Sequence, residues 1–475
     1  MRDTVRGNWG ESLCFGLVCF LLYWFLQQQI LYGDGSFTLV SRAAGALVHE
    51  NHLLNHLLVA IGQRIARPFC ADVFGEMSFA MRLFVASGVV VAHRTAIAFG
   101  WERARRAAYT LMIGGSGVAV FYGTAIELQG AFFPFAALAF HALVHCGRRP
   151  NVQRALLLGA ATALATLVHA TGHLLFSIVV PWLLLGCGGE LVPAPRKRLL
   201  AVVVAGTCHA AIVLAAIGVI ALYSGRSSFA SQASVIARFA DLSIAWLPFS
   251  LVREWLLPFL PGSLLVLATL FSAPTRRVGL AAAIAFVPYQ TFTLLVLRDF
   301  DERGAYDLPL VFPAALCAVL VLPRILLWLA VLTAVASGVA LNREYARTLP
   351  DPPSADAVAE ITDRGSAVLL FVGPWSVRPI LRHVPAIAQV DLVALVTSRR
   401  SFAAICSEFD AGYAAVHASG RRVLIARESL ENLATLLDLP PDQMRFFSEH
   451  LLVHYRLVEG RAAGFRYFGV EPLPR

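Results

Sequence analysis

Over the first 340 residues, apolar runs of membrane length alternate with short breaks rich in charge, proline or glycine. The runs fall at roughly 12–32, 73–99, 107–122, 128–146, 153–170, 172–188, 198–223, 252–273, 277–297, 308–322 and 324–341. This pattern predicts an all-α polytopic membrane domain of about eleven transmembrane helices. Lysine and arginine gather in alternate breaks. With the N-terminus cytoplasmic, the inner loops hold Arg103, Arg105 and Arg106; Arg148, Arg149 and Arg154; Arg196, Lys197 and Arg198; and Arg276 with Arg277. The breaks at 122–130, 169–173 and 299–308 are nearly free of basic residues apart from Arg303. That asymmetry is the one expected of cytoplasmic loops. It puts the loop after the first span, and the C-terminal tail, on the extracytoplasmic side.

Two outer segments are longer than turns. The first, 33–72, places Leu53-Leu54, Leu57-Leu58, Ile61 and Ile65 at intervals of three to four, which predicts amphipathic helices lying at the interface. The second, 224–250, is serine-rich and leads into Trp246, Pro248 and Trp255, and tryptophan there reads as an interfacial anchor. The pattern changes after about Leu341. Short β-rich runs at 367–372, 390–396 and 422–425 alternate with helical stretches near 355–363, 399–409, 427–437 and 441–450. Strands interleaved with helices predict a small α/β extracytoplasmic domain. The expected division is therefore a membrane domain over 1–345, including the loop 33–72, and a soluble domain over 346–475.

Composition agrees with the pattern. The chain is 58% hydrophobic and 15% charged, with a mean hydropathy of +0.68, which is membrane rather than soluble composition. The net charge of +9 is explained by the inner loops, and no nucleic-acid-binding pattern competes for it. The eight cysteines are scattered, mostly inside apolar runs, with no CxxC pair and no disulfide framework. The first apolar run is too long for a signal-peptide core and lacks a small-residue cleavage site, so it reads as a retained span. Alanine- and arginine-rich composition with short loops points to a bacterial inner membrane.

The candidate chemistry begins at Tyr32-Gly-Asp-Gly-Ser36, where the first run ends. Asp34 is an acid at the water-exposed end of a span, able to serve as general base or to help hold a divalent cation such as Mg²⁺ or Mn²⁺ against a phosphate. An Asx turn accounts for the same residues. His49, His52 and His56 follow. His52 and His56 are four apart and would share a helical face, with His49 one turn earlier. Three imidazoles can bind zinc, but His49-Glu-Asn-His52 is one residue short of the HExxH spacing, and polar lining of a wet cavity or substrate contact explains the cluster as well. His169 and His173 are again four apart, at the outer end of a later span. Glu127, at the edge of apolar sequence, is costly there unless it faces protein or water. Arg42 and the loop Arg298-Asp-Phe-Asp-Glu-Arg-Gly-Ala-Tyr-Asp307 offer Arg298, Arg303 and Tyr306. The arginines suit bidentate contact with phosphate, and the loop's own acids offer them salt bridges instead.

Taken together, one span, an acidic outer loop with interfacial helices, many further spans and an outer C-terminal domain resemble the GT-C membrane glycosyltransferases, among them the protein O-mannosyltransferases (family 39-like). Gly33-Asp34-Gly35 falls where that family carries its catalytic acid. Phe121-Tyr-Gly-Thr-Ala-Ile-Glu-Leu-Gln-Gly130 is similar to its aromatic segment ending in (Val/Ile)-Glu-(Val/Leu), with Glu127 as the acid. Leu167-Val-His-Ala-Thr-Gly-His-Leu174 is similar to its His-x-x-Gly segment. Glycine follows Asp34 where many members have an Asp-Glu pair, and Arg303-Gly-Ala-Tyr306 stands in place of a frequent Arg-Tyr. The resemblance implies transfer of a sugar from a polyprenyl-phosphate donor to a glycan, lipid or protein acceptor. Asp34 and Glu127 would be catalytic, and Arg42 or Arg303 would contact the lipid phosphate. Two other readings fit the same pattern: a multispan transporter or lipid flippase, and an inactive scaffold that uses its tail for assembly.

Overall fold

A computed structural model describes residues 9–29, 31–32, 35–48, 52–187, 194–224, 244–296, 302–348, 355–363, 367–371, 378–385, 387–391, 401–427, 446–462 and 465–473. These residues form two compact units, Met1–Gln28 with Ala46–Ala346, and Gln29–Gly45 with Arg347–Arg475. The segment 29–45, expected as the end of the first span and the start of the outer loop 33–72, thus clusters with the C-terminal unit.

The first unit is helical. Its elements are α1 (Trp9–Phe25), α3 (Asn55–Ala66), α4 (Val73–Ala98), α5 (Arg103–Gly115), α6 (Gly117–Thr124), α7 (Leu128–Arg148), α8 (Val152–Val168), α9 (Leu175–Leu184), α10 (Pro195–Ser224), α11 (Gly262–Phe271), α12 (Arg276–Val296), α13 (Val311–Val321) and α14 (Arg324–Thr348). Helix α2 (Gly35–Ala43) belongs to the second unit. Helices over Val73–Ala98, Leu128–Arg148, Pro195–Leu222, Arg276–Leu295 and Arg324–Tyr345 are long and apolar enough to cross a membrane, and shorter apolar helices lie between them. Each apolar run of the sequence contains helix, although the first stops at Phe25 and that at 252–273 is interrupted by a turn at 257–261, and the caps are where composition puts them. Asp72 accepts from the Gly75 amide at the start of α4, and Asn151 from the Arg154 amide at the start of α8. The chain is an integral membrane protein.

The run 107–122 does not form one helix. Ser116 ends α5 by donating to the Ile113 carbonyl at 2.7 Å, and starts α6 by accepting from the Ala119 amide at 3.3 Å. Its glycine neighbours let other segments approach. A Cβ on Gly115 would lie 2.5 Å from Val335, and one on Gly117 2.7 Å from the Pro258 backbone. Helix α3 also departs from soluble amphipathicity. Leu57, Ile61 and Ile65 are exposed while Asn55, His56 and Gln63 are buried. A helix with its apolar stripe outward and its polar residues inward fits contact with lipid. Most of the second long outer segment, 225–243, lies outside the described residues.

The C-terminal unit contains a five-stranded mixed sheet of order β2-β1-β3-β5-β4, formed by β1 (Val368–Phe371), β2 (Ala388–Asp391), β3 (Val423–Ala426), β4 (Tyr455–Ala462) and β5 (Phe465–Pro472). Strands β1, β2 and β3 are parallel, and β4–β5 is an antiparallel hairpin added through β5. Helix α15 (Ala355–Ile361) precedes the sheet, and α17 (Phe402–Ala418) follows the short helix α16 (Arg378–Leu381). Ile405 and Phe409 of α17 close the core over Val368, Leu370, Val423, Ile425 and Val470. The first three strands and two of the helices lie close to where alternation placed them. The helix expected at 427–437 falls almost wholly outside the described residues, as does the first half of that at 441–450, whose second half is a π-helical turn (Phe446–Leu451).

Candidate functional site

Glu127 stands at the junction of α6 and α7. Its backbone is extended, it caps α7 by accepting from the Leu128 amide at 3.1 Å, and it is only 2% exposed. The junction is held from several sides. Thr124 accepts from Asn342 Nδ2 at 2.7 Å, the Gln28 amide donates to the Thr124 carbonyl at 3.1 Å, and the Tyr122 hydroxyl donates to the Glu302 carbonyl. Asn55, at the start of α3, donates to the Leu128 carbonyl at 3.1 Å. A buried carboxylate at the end of a membrane-length helix is thereby fixed in position.

Two imidazoles, His52 and His169, stack with ring centroids 4.4 Å apart. The Ala170 amide donates to His52 Nδ1 at 3.3 Å, and the Thr171 amide to His169 Nδ1 at 3.3 Å. A backbone N–H can only donate, so both Nδ1 atoms are acceptors and both neutral rings carry their proton on Nε2. Phe132, one turn into α7, packs 5.4 Å from His169, and Tyr306 lies 6.5 Å from it on another side. His56 is buried in the first turn of α3. The structure therefore brings together His52, His169 and Tyr306, next to Phe132 in the first turns of the helix that Glu127 caps.

Two pairs of histidines four residues apart do not share a face. His52 precedes α3, which begins at Asn55, so it does not share a helical face with His56. His169 and His173 also part company. Residues Ala170–Leu174 form a 3-10 helix, whose 120° step sends residues four apart to different sides. His173 Nδ1 instead lies 3.2 Å from His209 Nε2, and His209 Nδ1 lies 3.2 Å from the Thr162 hydroxyl. His209, in the middle of α10, was not singled out by sequence, although an ionisable residue within an apolar run is itself a signal.

Arg303 sits in a loop held from outside. The Glu254 carboxylate, in a π-helical turn (Leu251–Leu256), accepts from the Glu302 and Gly304 amides, both at 2.7 Å. Arg303 itself has φ 54, a left-handed conformation that non-glycine residues adopt at a cost. Its Nη1 donates to Glu344 at 2.9 Å, and Glu344 also pairs with Arg253 at 3.0 Å. Among the described residues its carboxylate partner is Glu344, on α14. Asp307 closes the loop, fully buried, accepting from Gln290 and from Thr293. Burial pushes its carboxyl up to about 8, against the opposing pull of these two donors. The folded chain holds this proton more tightly than the unfolded chain. The contribution to stability is therefore full below the ordinary carboxylate range and is lost as pH rises from about 4 to 8. In detergent, the Tm of the natural chain is expected to fall between pH 5 and pH 8 more steeply than that of Asp307→Asn. Parallel slopes would remove Asp307 as the titrating group.

Arg42, on α2, is in the second unit, where burial lowers its guanidinium pKa. The Gly35 amide donates to the Tyr32 carbonyl at 2.7 Å. Asp34, His49 and Arg298 lie outside the described residues. Among the described residues no three His, Cys, Asp or Glu side chains converge to hold a metal ion.

The nearly full-length likeness to solved membrane transferases decides the architecture. ArnT from Cupriavidus metallidurans, in a structure bound to undecaprenyl phosphate, matches with a TM-score of 0.53 at 14% identity, covering 98% of each chain. The fold is GT-C. An Archaeoglobus fulgidus oligosaccharyltransferase, in complex with Zn and sulfate, shares the GT-C architecture over 96% of this chain and 73% of its own, with a TM-score of 0.50 at 10% identity. The mycobacterial arabinofuranosyltransferase AftD matches over 97% of this chain and 41% of its own, with a TM-score of 0.50 at 15% identity. No protein-family model matches this GT-C sequence, and no curated protein matches it.

Proposed function

We propose that the chain is a membrane glycosyltransferase that moves a sugar from a polyprenyl phosphate to an extracytoplasmic acceptor. The observation that carries this reading is a carboxylate, Glu127, buried where a membrane-length helix of a GT-C fold begins, with the stacked imidazoles of His52 and His169 packed on Phe132 one turn along that helix. The ArnT structure was solved with undecaprenyl phosphate, and a lipid-linked donor of that kind suits a chain whose α3 turns an apolar stripe outward. The reading includes about eleven spans, a cytoplasmic N-terminus, a bacterial inner membrane and a C-terminal domain on the outer side.

In the reaction, the acceptor hydroxyl oxygen attacks the anomeric carbon and the bond from that carbon to the phosphate oxygen breaks. The electron pair leaves with the polyprenyl phosphate, and the hydroxyl proton passes to a carboxylate. Asp34 is assigned as that base, from its place between two glycines after the first span. Glu127 acts as the supporting acid that orients the reacting sugar, and His52, His169 and Tyr306 are assigned to its hydroxyls. Arg303, Arg298 or Arg42 would meet the phosphate charge. The glycosyl phosphate is already an activated leaving group, so positioning and one proton acceptor are the protein's main tasks.

The test is incubation of the purified protein with labelled polyprenyl-phosphate sugars, scored as loss of donor. Glu127→Gln keeps an oxygen to accept from the Leu128 amide, so it should fold normally while transfer falls by about 10²-fold. A donor left intact by the natural protein across the series would sink the transferase assignment.

A further inference from the structure

Helices α7 and α8 enclose a groove of about 370 Å³ on the surface of the first unit. Its sides carry the exposed side chains of Leu138, Leu157 and Leu164, with Ala160 between them and with His145 and Arg154 at one end. That end is strongly basic. Arg148 closes α7, Arg149 follows it, and Arg154 lies in the first turn of α8. The sequence holds no aspartate or glutamate from 128 through 189, and among the described residues none of these three arginines pairs with a carboxylate. Arg154 is set in place by its own backbone contacts. Its Nη1 donates to the His145 carbonyl at 3.0 Å and to the Arg149 carbonyl at 3.4 Å, while Nε and Nη2 make no hydrogen bond among the described residues. The N-terminal dipole of α8 adds to the positive field at this point.

We propose that this groove is a binding site for an anionic phospholipid, with its phosphate on Arg154 between Arg148 and Arg149 and one acyl chain along Leu138, Leu157 and Leu164. Charge selects the occupant: unpaired arginines at the end of an apolar groove between membrane helices complement a phosphate attached to a hydrocarbon chain. Position separates this lipid from a glycosyl donor. Helix α7 runs from Glu127 to Arg148, and its 21 residues span roughly 30 Å, about the thickness of the hydrocarbon core. The arginines therefore face the opposite leaflet from Glu127, and the site does not depend on the transferase reading.

The test is native mass spectrometry of the purified full chain, titrated separately with phosphatidylglycerol, phosphatidylcholine and undecaprenyl phosphate. Phosphatidylglycerol should be retained over phosphatidylcholine, and retention should fall about fivefold for each arginine replaced by glutamine. Arg148→Gln with Arg149→Gln is the informative pair, since both side chains are exposed and leave the Arg154 contacts intact. Ala160→Phe fills the groove and should expel the lipid although all three arginines remain. Equal retention of phosphatidylcholine, stronger retention of undecaprenyl phosphate, or an Ala160→Phe protein that keeps its phosphatidylglycerol would overturn the proposal.

Discussion

Transfer by an Asp34→Asn variant is expected to fall by about 10²–10⁴-fold, the usual contribution of a positioned proton acceptor. Asparagine keeps the size of the side chain and one acceptor oxygen, but it cannot take the proton of an attacking hydroxyl near neutral pH. The measurement is donor consumption by protein matched to the natural chain in size-exclusion profile and thermal unfolding. A folded variant with full activity would remove Asp34 as base and leave Glu127 as the acid to examine. A variant whose defect is rescued at high pH would point to a different proton acceptor, since an amide does not titrate.

The second large effect is steric. A Cβ on Gly172 would lie 2.4 Å from the Thr166 amide nitrogen, 2.6 Å from its Cα and 2.7 Å from the Ala165 carbonyl carbon. These are backbone atoms at the end of α8 and cannot move aside as a flexible side chain does. Gly172→Ala must therefore lift the 3-10 turn away from α8, which costs about 1–3 kcal/mol. The same shift would break the Ala170–His52 hydrogen bond and part the two stacked imidazoles. Both a lower Tm and lost transfer are expected. Gly206→Ala is the control, because a Cβ there meets only Phe176 at 3.8 Å and the change favours helix. Equal Tm values for the two variants would contradict the close approach.

The helical architecture was legible because lipid imposes a long, continuous apolar signal that few local preferences can override. Breaks within that signal were harder to read. Gly114-Gly-Ser-Gly117 looks like apolar helix in a hydropathy window, and only the cap geometry of Ser116 shows two helices. In the C-terminal domain, β1 and β3 were plain from their apolar runs, whereas the β4–β5 hairpin was missed. Its strands mix arginine and glutamate with aromatic residues, and Gly460 breaks the alternation because the Tyr467 ring lies across it, 2.4 Å from where a Cβ would be.

In the site, residue types were legible and partnerships were not. Glu127 and His169 stood out as polar groups at the ends of apolar runs. The pairing of His52 with His169, and of Arg303 with Glu344, joins segments far apart in sequence, and no local pattern encodes it. The His169–His173 spacing misled because the backbone there is a 3-10 helix rather than an α-helix. Glu254 was passed over because its role is to accept two backbone amides of a distant loop, which leaves no mark in its own neighbourhood.

The Ser116 break also sets an order of assembly. Helices α5 and α6 are short. Their packing on α1 and α4 can form early, but Pro258 and the Val335–Leu341 stretch of α14, which press on Gly115 and Gly117, are made much later. At translation rates of about 5–20 residues per second, the roughly 220 residues between Gly117 and Gly338 take on the order of 10–40 s to synthesise. For that interval the elbow rests on α1 and α4, so the nascent chain must hold it without its final packing until the last membrane helix arrives.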